Sequence, residues 1–392
     1  MSKTDQYLTW VEIDGNALKH NLSEIHRIAL LNEFYMPSRD GNSEQKRHPL
    51  EILAVIKSDA YGHGIDYVSK ILRDEGIEFF GVSNVFEGIH LRENGIKNNI
   101  LIFENTLEKY LSNIGKHNLI PTVSDLKTAG ELNNYAKDLG RNINIHVQID
   151  TGMGRLGIWH EEALAFVEEL FKYKYLTIHG IYTHFPVADK DPEFTEKQID
   201  ILHNIVVALD RKALIIPYIH AVNSMGLVGY NTQVLNLARP GLMFYGLYPD
   251  FKTKRANIID LKPVMTVKSR IICIKDINKG RSISYGRTFT AKRDMRVAII
   301  PIGYNDGYLR ALSNKSSVLI GGKFCPVVGK VTMNQIIVDI ALVKSASQGD
   351  EVVILGKQGD STISADDLAN YADTINYEIV CSLGNRLPRV YL

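Results

Sequence analysis

The chain has 392 residues, with 45 Lys and Arg against 44 Asp and Glu, a formal charge of +1, 45% hydrophobic and 23% charged residues. This is the composition of an ordinary soluble globular protein, and the even charge balance argues against a nucleic-acid surface, which needs a basic excess to neutralise phosphates. No run approaches the ~18 consecutive apolar residues of a membrane helix, and the length predicts two or three domains, or a barrel of about 250 residues with a smaller module after it.

The opening MSKTDQYLTWVEID has no apolar run behind a basic stretch, so it does not read as a secretory signal. Its YLTWVEID (7–14) reads as a strand, and Asp14 is placed to cap a helix from about Asn16 to Leu31. Residues 32–49 are polar with Pro, Gly and Ser, which predicts a surface loop or insertion. Eight strand-like runs follow, at 51–57, 78–83, 99–103, 119–124, 143–150, 176–184, 214–220 and 234–240. They are almost continuously apolar, as suits strands buried on both faces of a parallel sheet, and helical periodicity lies between them, for example at 160–173 and 193–211. Eight such alternations predict a (β/α)8 TIM barrel. An open doubly wound sheet is the rival, but no GxGxxG turn follows Ile56.

Beyond about residue 255 the chain turns to short strands separated by Gly, Asn, Asp and Lys, with helical period only at 364–376. The expected organisation is a barrel over 15–255 and a mostly β C-terminal domain over 256–392 that also takes up the N-terminal strand, residues 1–14. Cys273, Cys325 and Cys381 are scattered and form no CxxC pair. That excludes a zinc cluster and a disulfide framework and points to buried thiols in a cytoplasmic protein with no metal site.

Barrel enzymes carry their chemistry at the C-terminal strand ends. Here those ends supply Lys57, Arg155 in a glycine-rich turn, Thr183–His184, Ser224, Arg239 and Gly241. Each is ordinary alone: a snorkelling lysine, a tight turn, a structural histidine. Together they converge, because the loops after strands seven and eight commonly hold a phosphate, and Ser224 with the backbone at Gly241–Leu242 suits that role. A strand-end lysine facing a phosphate cradle suggests a Schiff base with a phosphorylated aldehyde, pyridoxal 5'-phosphate.

The segments AVIKSDAYGHG, DTGMGRLG, THFPVAD, HAVNS, ARPGLMFYG, SYGRTF, PIGYNDG, VGKVTMNQ and NYEIVCSLGNRLPR occur in this order over residues 54–389. In these the chain resembles the alanine racemase family. The resemblance implies a pyridoxal-phosphate barrel with a β domain, a homodimer whose active sites are shared between subunits, and interconversion of L- and D-alanine to supply D-alanine for a cell wall. Lys57 then resembles the lysine that binds the cofactor and acts as one base. Tyr285 resembles the opposite base, reaching in from the other subunit. Two bases are needed because inversion removes a proton from one face of Cα and returns another to the opposite face. A phenol of pKa ~10 is a poor base unless its phenolate is stabilised, and His184 and Arg239 resemble the pair that does so. Arg239 also resembles the partner of the cofactor's pyridine nitrogen, where an arginine keeps that nitrogen largely unprotonated. Tyr61, Ser224 and Tyr377, with the backbone of Gly241 and Leu242, resemble the phosphate ligands. Arg155 and the Met333 backbone resemble the substrate-carboxylate site, and Tyr304 the entrance, which Tyr377 also narrows. A pocket sized for methyl discriminates weakly against hydroxymethyl.

Two positions depart from the family's pattern. Gln148 stands where the family commonly has a carbamylated lysine, and Asn334 where it commonly has an aspartate after the methionine. Each removes a negative charge expected near Arg155, and a pair of opposite charges at ~4 Å is worth about 4 kcal/mol at an effective dielectric of ~20. A chloride against Arg155 and Gln148 would compensate; otherwise Arg155 is free to grip the substrate carboxylate, or the changes are neutral. Other classes are weighed by residues. Decarboxylases of this architecture carry a glycine-triplet phosphate loop, absent here, and a barrel-only cofactor carrier has no use for Tyr285. A serine or broad-specificity racemase is the nearest alternative.

Overall fold

The computed structural model describes residues 4, 6–35, 47–230, 235–249 and 251–392. Eight parallel strands form the barrel: Glu51–Val55, Phe79–Val82, Asn99–Asn105, Ile120–Val123, Ile143–Asp150, Leu176–Tyr182, Tyr218–His220 and Leu237–Ala238. Each pairs with its sequence neighbour through the seventh, and the eighth pairs with the first, Leu237 opposite Glu51. The second and fourth are buried at all four positions, as strands covered on both faces must be. This is the barrel that the sequence predicts.

The seventh and eighth strands are shorter than the runs 214–220 and 234–240, and residue 234 lies outside the described residues. Pro217 has no N–H to offer a ladder. The Asn236 side chain stands in, donating to the Pro217 carbonyl (2.6 Å) and accepting from the Ile219 N–H (2.8 Å). Closure is completed by the Asn236 N–H on Ile219 O (3.0 Å) and the Arg239 N–H on Val222 O (2.7 Å).

Helix Gly15–Leu31 begins as predicted, with the Asp14 carboxylate accepting from the Asn16 and Ala17 N–H groups. It packs between Ile65–Asp74 and Ser224–Gly229 in the outer ring. Buried Asn21 pins it by donating to Phe244 O and Lys262 O and accepting from the Lys262 N–H. The expected helices near 160–173 and 193–211 span His160–Leu170 and Pro192–Asp210. Of the polar segment 32–49, Glu33–Tyr35 and Arg47–Pro49 pair antiparallel, and 36–46 lie outside the described residues.

The C-terminal part is mostly β. Its main sheet runs Lys323–Pro326, Ser317–Ile320, Glu351–Gln358, Met265–Arg270, Thr9–Ile13, Arg389–Tyr391. The N-terminal strand joins it as expected, antiparallel to Met265–Arg270 and parallel to Arg389–Tyr391. A three-stranded sheet, Cys273–Ile277, Met295–Ile300 and Ile336–Asp339, lies beside it in the chain. The helix predicted at 364–376 is present but shorter, and a second, not predicted, follows it. Ala365–Ala372 stops at Asp373, which is left-handed (φ 58°), and Asn376–Gly384 starts after it with Ile379, Val380 and Leu383 buried. Of the thiols, Cys325 is buried and pushed up to about 11 by burial, Cys381 is half-buried, and Cys273 is exposed, contrary to expectation, because its strand is the sheet's edge.

Candidate active site

Lys57 leaves the first barrel strand into a turn with no precedent in its composition. Ser58, Asp59, Ala60 and Tyr61 all lie in the left-handed region, φ between 53° and 55°. Left-handed backbone costs an L-residue about 1–2 kcal/mol, so the turn exists only because its surroundings impose it. The Glu87 carboxylate accepts from the Ser58 and Ser83 N–H groups, both at 2.7 Å, tying the ends of strands one and two together. Asp59 accepts from the Ile65 N–H, and Arg389 grips Asp59, Gly62 O and Gly384 O. Lys57 is thereby fixed on the wall of a cavity of about 630 Å³.

Tyr61, Arg155, His184, Ser224, Arg239, Gly241, Leu242 and Tyr377 line the same cavity. Gly241 sits under the Tyr61 ring, and a Cβ there would come within 2.6 Å of the Tyr61 hydroxyl. Its N–H donates to Ser224 Oγ at 3.1 Å, and Leu242 opens the 3-10 turn Leu242–Tyr245, whose first N–H groups have no partner within the turn. Burial pushes the Tyr61 and Tyr377 phenols up, Tyr377 to about 12 with Asp189 adding to it, so both stay protonated donors at neutral pH. Hydroxyls and N–H groups therefore converge on one concave patch, the donor set of an anion cradle.

The same cavity also carries positive charge. Lys57 is pushed down from the ordinary lysine value by burial and then by the Arg155 charge. Arg239 is fully enclosed: its NH1 donates to His220 Nδ1 (2.7 Å), its NH2 to Thr183 O (2.7 Å) and Ala221 O (3.3 Å), and Tyr182 lies against it. Burial lowers it to about 10, so it stays cationic at neutral pH. Burial, Arg239, Arg155 and Lys57 together hold His184 down at about 3, a neutral imidazole. Asp150, ending the fifth strand, shapes the Arg155 loop by accepting from the Gly152, Met153 and Arg155 N–H groups.

Tyr285, Tyr304 and Met333 are elsewhere. They are 71%, 45% and 55% exposed on the C-terminal part and do not line this cavity. One segment links them: Ser284 donates to Lys330 O, and the Tyr304 and Asn305 N–H groups donate to Thr332 O and Met333 O. Gln148 does face the cavity with Arg155, its Oε1 accepting from Tyr182. Asn334 is exposed beside Met333, outside the lining of this chain's own cavity. Sequence reasoning overlooked His220, though it opens HAVNS, as well as Asp150 within DTGMGR and Arg389 at the end of NYEIVCSLGNRLPR. Their signal was membership of those segments, because each acts on backbone or on another side chain. Among the described residues no His, Cys, Asp and Glu cluster could hold a metal, and no helix is long and apolar enough to cross a membrane.

Two family patterns cover nearly all of the chain, the N-terminal domain of alanine racemase over residues 42–249 and its C-terminal domain over 264–391. The chain belongs to the alanine racemase family. An alanine racemase of Halothermothrix orenii is 38% identical over 100% of this chain and 98% of its own length. The alanine racemase structure from Clostridium difficile 630 superposes with a TM-score of 0.87 at 35% identity, covering 98% of this chain and 96% of that one. The alanine racemase of Bartonella henselae, solved with covalently bound pyridoxal phosphate, gives 0.83 at 25% identity over 98% and 100%.

Proposed function

We infer that this chain interconverts L- and D-alanine with pyridoxal phosphate as its cofactor. The observation that carries the reading is one cavity in which a desolvated lysine and a buried arginine face a neutral donor cradle closed by Gly241. The cradle fits a phosphate: a side chain at position 241 would fill it, and its donors are hydroxyls and N–H groups. Tyr61, Ser224, Tyr377 and the Gly241 and Leu242 N–H groups hold the phosphate, Lys57 the aldehyde carbon, and Arg239 the ring nitrogen. When bound, the cofactor is the electron sink that acidifies the Cα–H of an attached amino acid. Lys57, lowered by burial and Arg155, gives and takes the proton on one face of Cα. Arg155 and the Met333 backbone of the partner subunit orient the substrate carboxylate. The partner subunit's Tyr304, with Tyr377, narrows the entrance to a methyl-sized side chain.

The opposite face belongs to Tyr285 of the partner subunit. Tyr285, Tyr304 and Met333 share one exposed surface away from the cavity, which supports a dimer in which that surface completes the partner's site. Neutral His184 and cationic Arg239 favour the phenolate there. The test is to mix two inactive variants, Lys57→Ala and Tyr285→Phe. If sites are shared, random reassortment restores about a quarter of wild-type activity, because half of the dimers carry one intact site of two. If the mixture stays inactive after exchange, the shared site is wrong. Cα–H exchange in deuterated water with chiral analysis of each product tests the substrate: confinement to alanine supports the reading, and equal turnover of serine moves it to a broader racemase.

Chloride at Arg155 and Gln148 belongs to the same proposal. With Gln148 Oε1 taken by Tyr182, its amide NH2 is the end left to meet an anion held by Arg155. A bromide-soaked crystal should show an anomalous peak between them, and an empty map there removes the anion.

A further inference from the structure

Behind Arg239 a line of three histidines runs down through the barrel. His220 Nε2 lies 2.8 Å from His146 Nδ1, and His146 Nε2 lies 3.2 Å from His179 Nδ1. His146 and His220 are fully buried, walled by Phe79, Tyr182 and Tyr218. At the outer end the Tyr218 ring meets His179 edge-on, and its hydroxyl donates to Glu51.

The direction of this line follows from its first bond. A guanidinium only donates, so His220 Nδ1 must accept from Arg239 NH1. A neutral imidazole has one N–H, so His220 carries it on Nε2 and donates to His146 Nδ1. His146 in turn carries its proton on Nε2 and donates to His179 Nδ1, which leaves His179 with Nε2–H as well. Burial and the Arg239 charge hold both inner rings well below the ordinary histidine value, as neutrality requires.

Two irregularities of the barrel seat this line. Pairing between strands five and six slips between Ile178 and Gly180, so His179 is an extra, bulged residue. In a regular strand residues 179 and 180 would face opposite sides; the bulge lets both meet His146. At position 180 any Cβ would collide with the His146 ring, at 2.4 Å from Cε1, so glycine there is the space the ring occupies.

We propose that His146 and His179 are positioning residues for Arg239: with His220 they form a one-way chain of Nε2–H tautomers that fixes the guanidinium NH1 and keeps the remaining edge of Arg239 for the cofactor's ring nitrogen. The proposal rests on the placement of Arg239 at that nitrogen given above, while the tautomer chain itself is independent of it. Long-range 1H–15N spectra of the full chain labelled with 15N-histidine, with and without pyridoxal phosphate, should show Nε2–H tautomers at all three positions. A single Nδ1–H among them overturns the chain, whatever the enzyme's activity. Two substitutions then separate relay from packing. His146→Phe fills the space but cuts the chain; His146→Gln can accept from His220 and donate to His179. The relay predicts that Phe lowers kcat about tenfold with KM little changed and releases the His220 tautomer, whereas Gln stays within about threefold of wild type. A packing role predicts the reverse order, Phe better tolerated than Gln in a buried apolar setting, and that order would sink the proposal. Should either variant fail to fold, the wild-type spectra still decide.

Discussion

At Gly241 a single missing methyl group decides whether the site can exist. The 2.6 Å approach to the Tyr61 hydroxyl leaves no room for a Cβ, and Tyr61 cannot retreat because Tyr245 and Tyr377 stand 4.9 and 6.2 Å from its ring. Gly241→Ala should therefore displace the Tyr61 hydroxyl from the cradle. Overpacking of this kind costs about 1–3 kcal/mol, so pyridoxal phosphate should bind roughly ten- to a hundredfold more weakly, read by absorbance titration. Unchanged affinity would mean that Tyr61 does not touch the phosphate. Lys57, His184, Ser224, Arg239 and Gly241 were legible in the sequence because each is a polar or glycine residue at or just past the end of an apolar strand, whereas Tyr61 and Tyr377 stood out only through the segments shared with the family. Those that act on other residues carried no signal beyond membership of the shared segments: the role of His220 shows only in the bond to Arg239, and that of Arg389 only in three acceptors that no local pattern links.

The elements follow the same division. All eight barrel strands stood out because burial on both faces makes the sequence apolar throughout, the last two proving shorter than their apolar runs, and the Asp14 cap because its chemistry is local. The left-handed turn after Lys57 was invisible, since Ser, Ala and Tyr have no preference for that region, a single Asp does not mark four such residues in a row, and the turn is held from outside. The stop at Asp373 was missed although Asp is one of the few non-glycine residues that enter the left-handed region readily. Arg389 is the outside holder of the Lys57 turn, joining the last strand of the C-terminal sheet to Asp59, Gly62 and the end of helix Asn376–Gly384. Arg389→Ala should cost about 2–4 kcal/mol, because it unpairs buried carbonyls and releases a strained turn, and Arg389→Lys should recover little, lacking the fork that spans three acceptors. Urea midpoints of both variants measure this. A Lys variant as stable as wild type would mean that charge alone, and not the fork, holds the turn.

Across the whole molecule, buried neutral histidines set the response to acid. His184 is held at about 3 and His63 at about 4, chiefly by burial, and His146 and His220 are lowered well below the ordinary value by burial and Arg239. In the unfolded chain each returns to ~6.5. Between the folded and unfolded values the unfolded state binds more protons, so stability rises with pH through that window: it is fully present above ~6.5 and drains as pH falls toward 4. Each group contributes a slope of up to about 1.4 kcal/mol per pH unit, and four titrate together. Carboxylates enter later. Glu24, lowered to about 2 by Arg27, loses its contribution only as pH drops below the ordinary carboxylate range. The urea midpoint should thus be level from pH 8 to 7 and fall steeply from 6.5 to 4.5, measured at one protein concentration so that subunit association does not shift it. A midpoint that holds to pH 4.5 and then drops would assign acid unfolding to the carboxylates and remove the histidines from the account. His63 offers the internal check, since its Nδ1 bonds to Ala60 O and Tyr61 O and its buried Nε2 has no partner among the described residues. His63→Gln should flatten the slope by about one proton without touching the relay to Arg239.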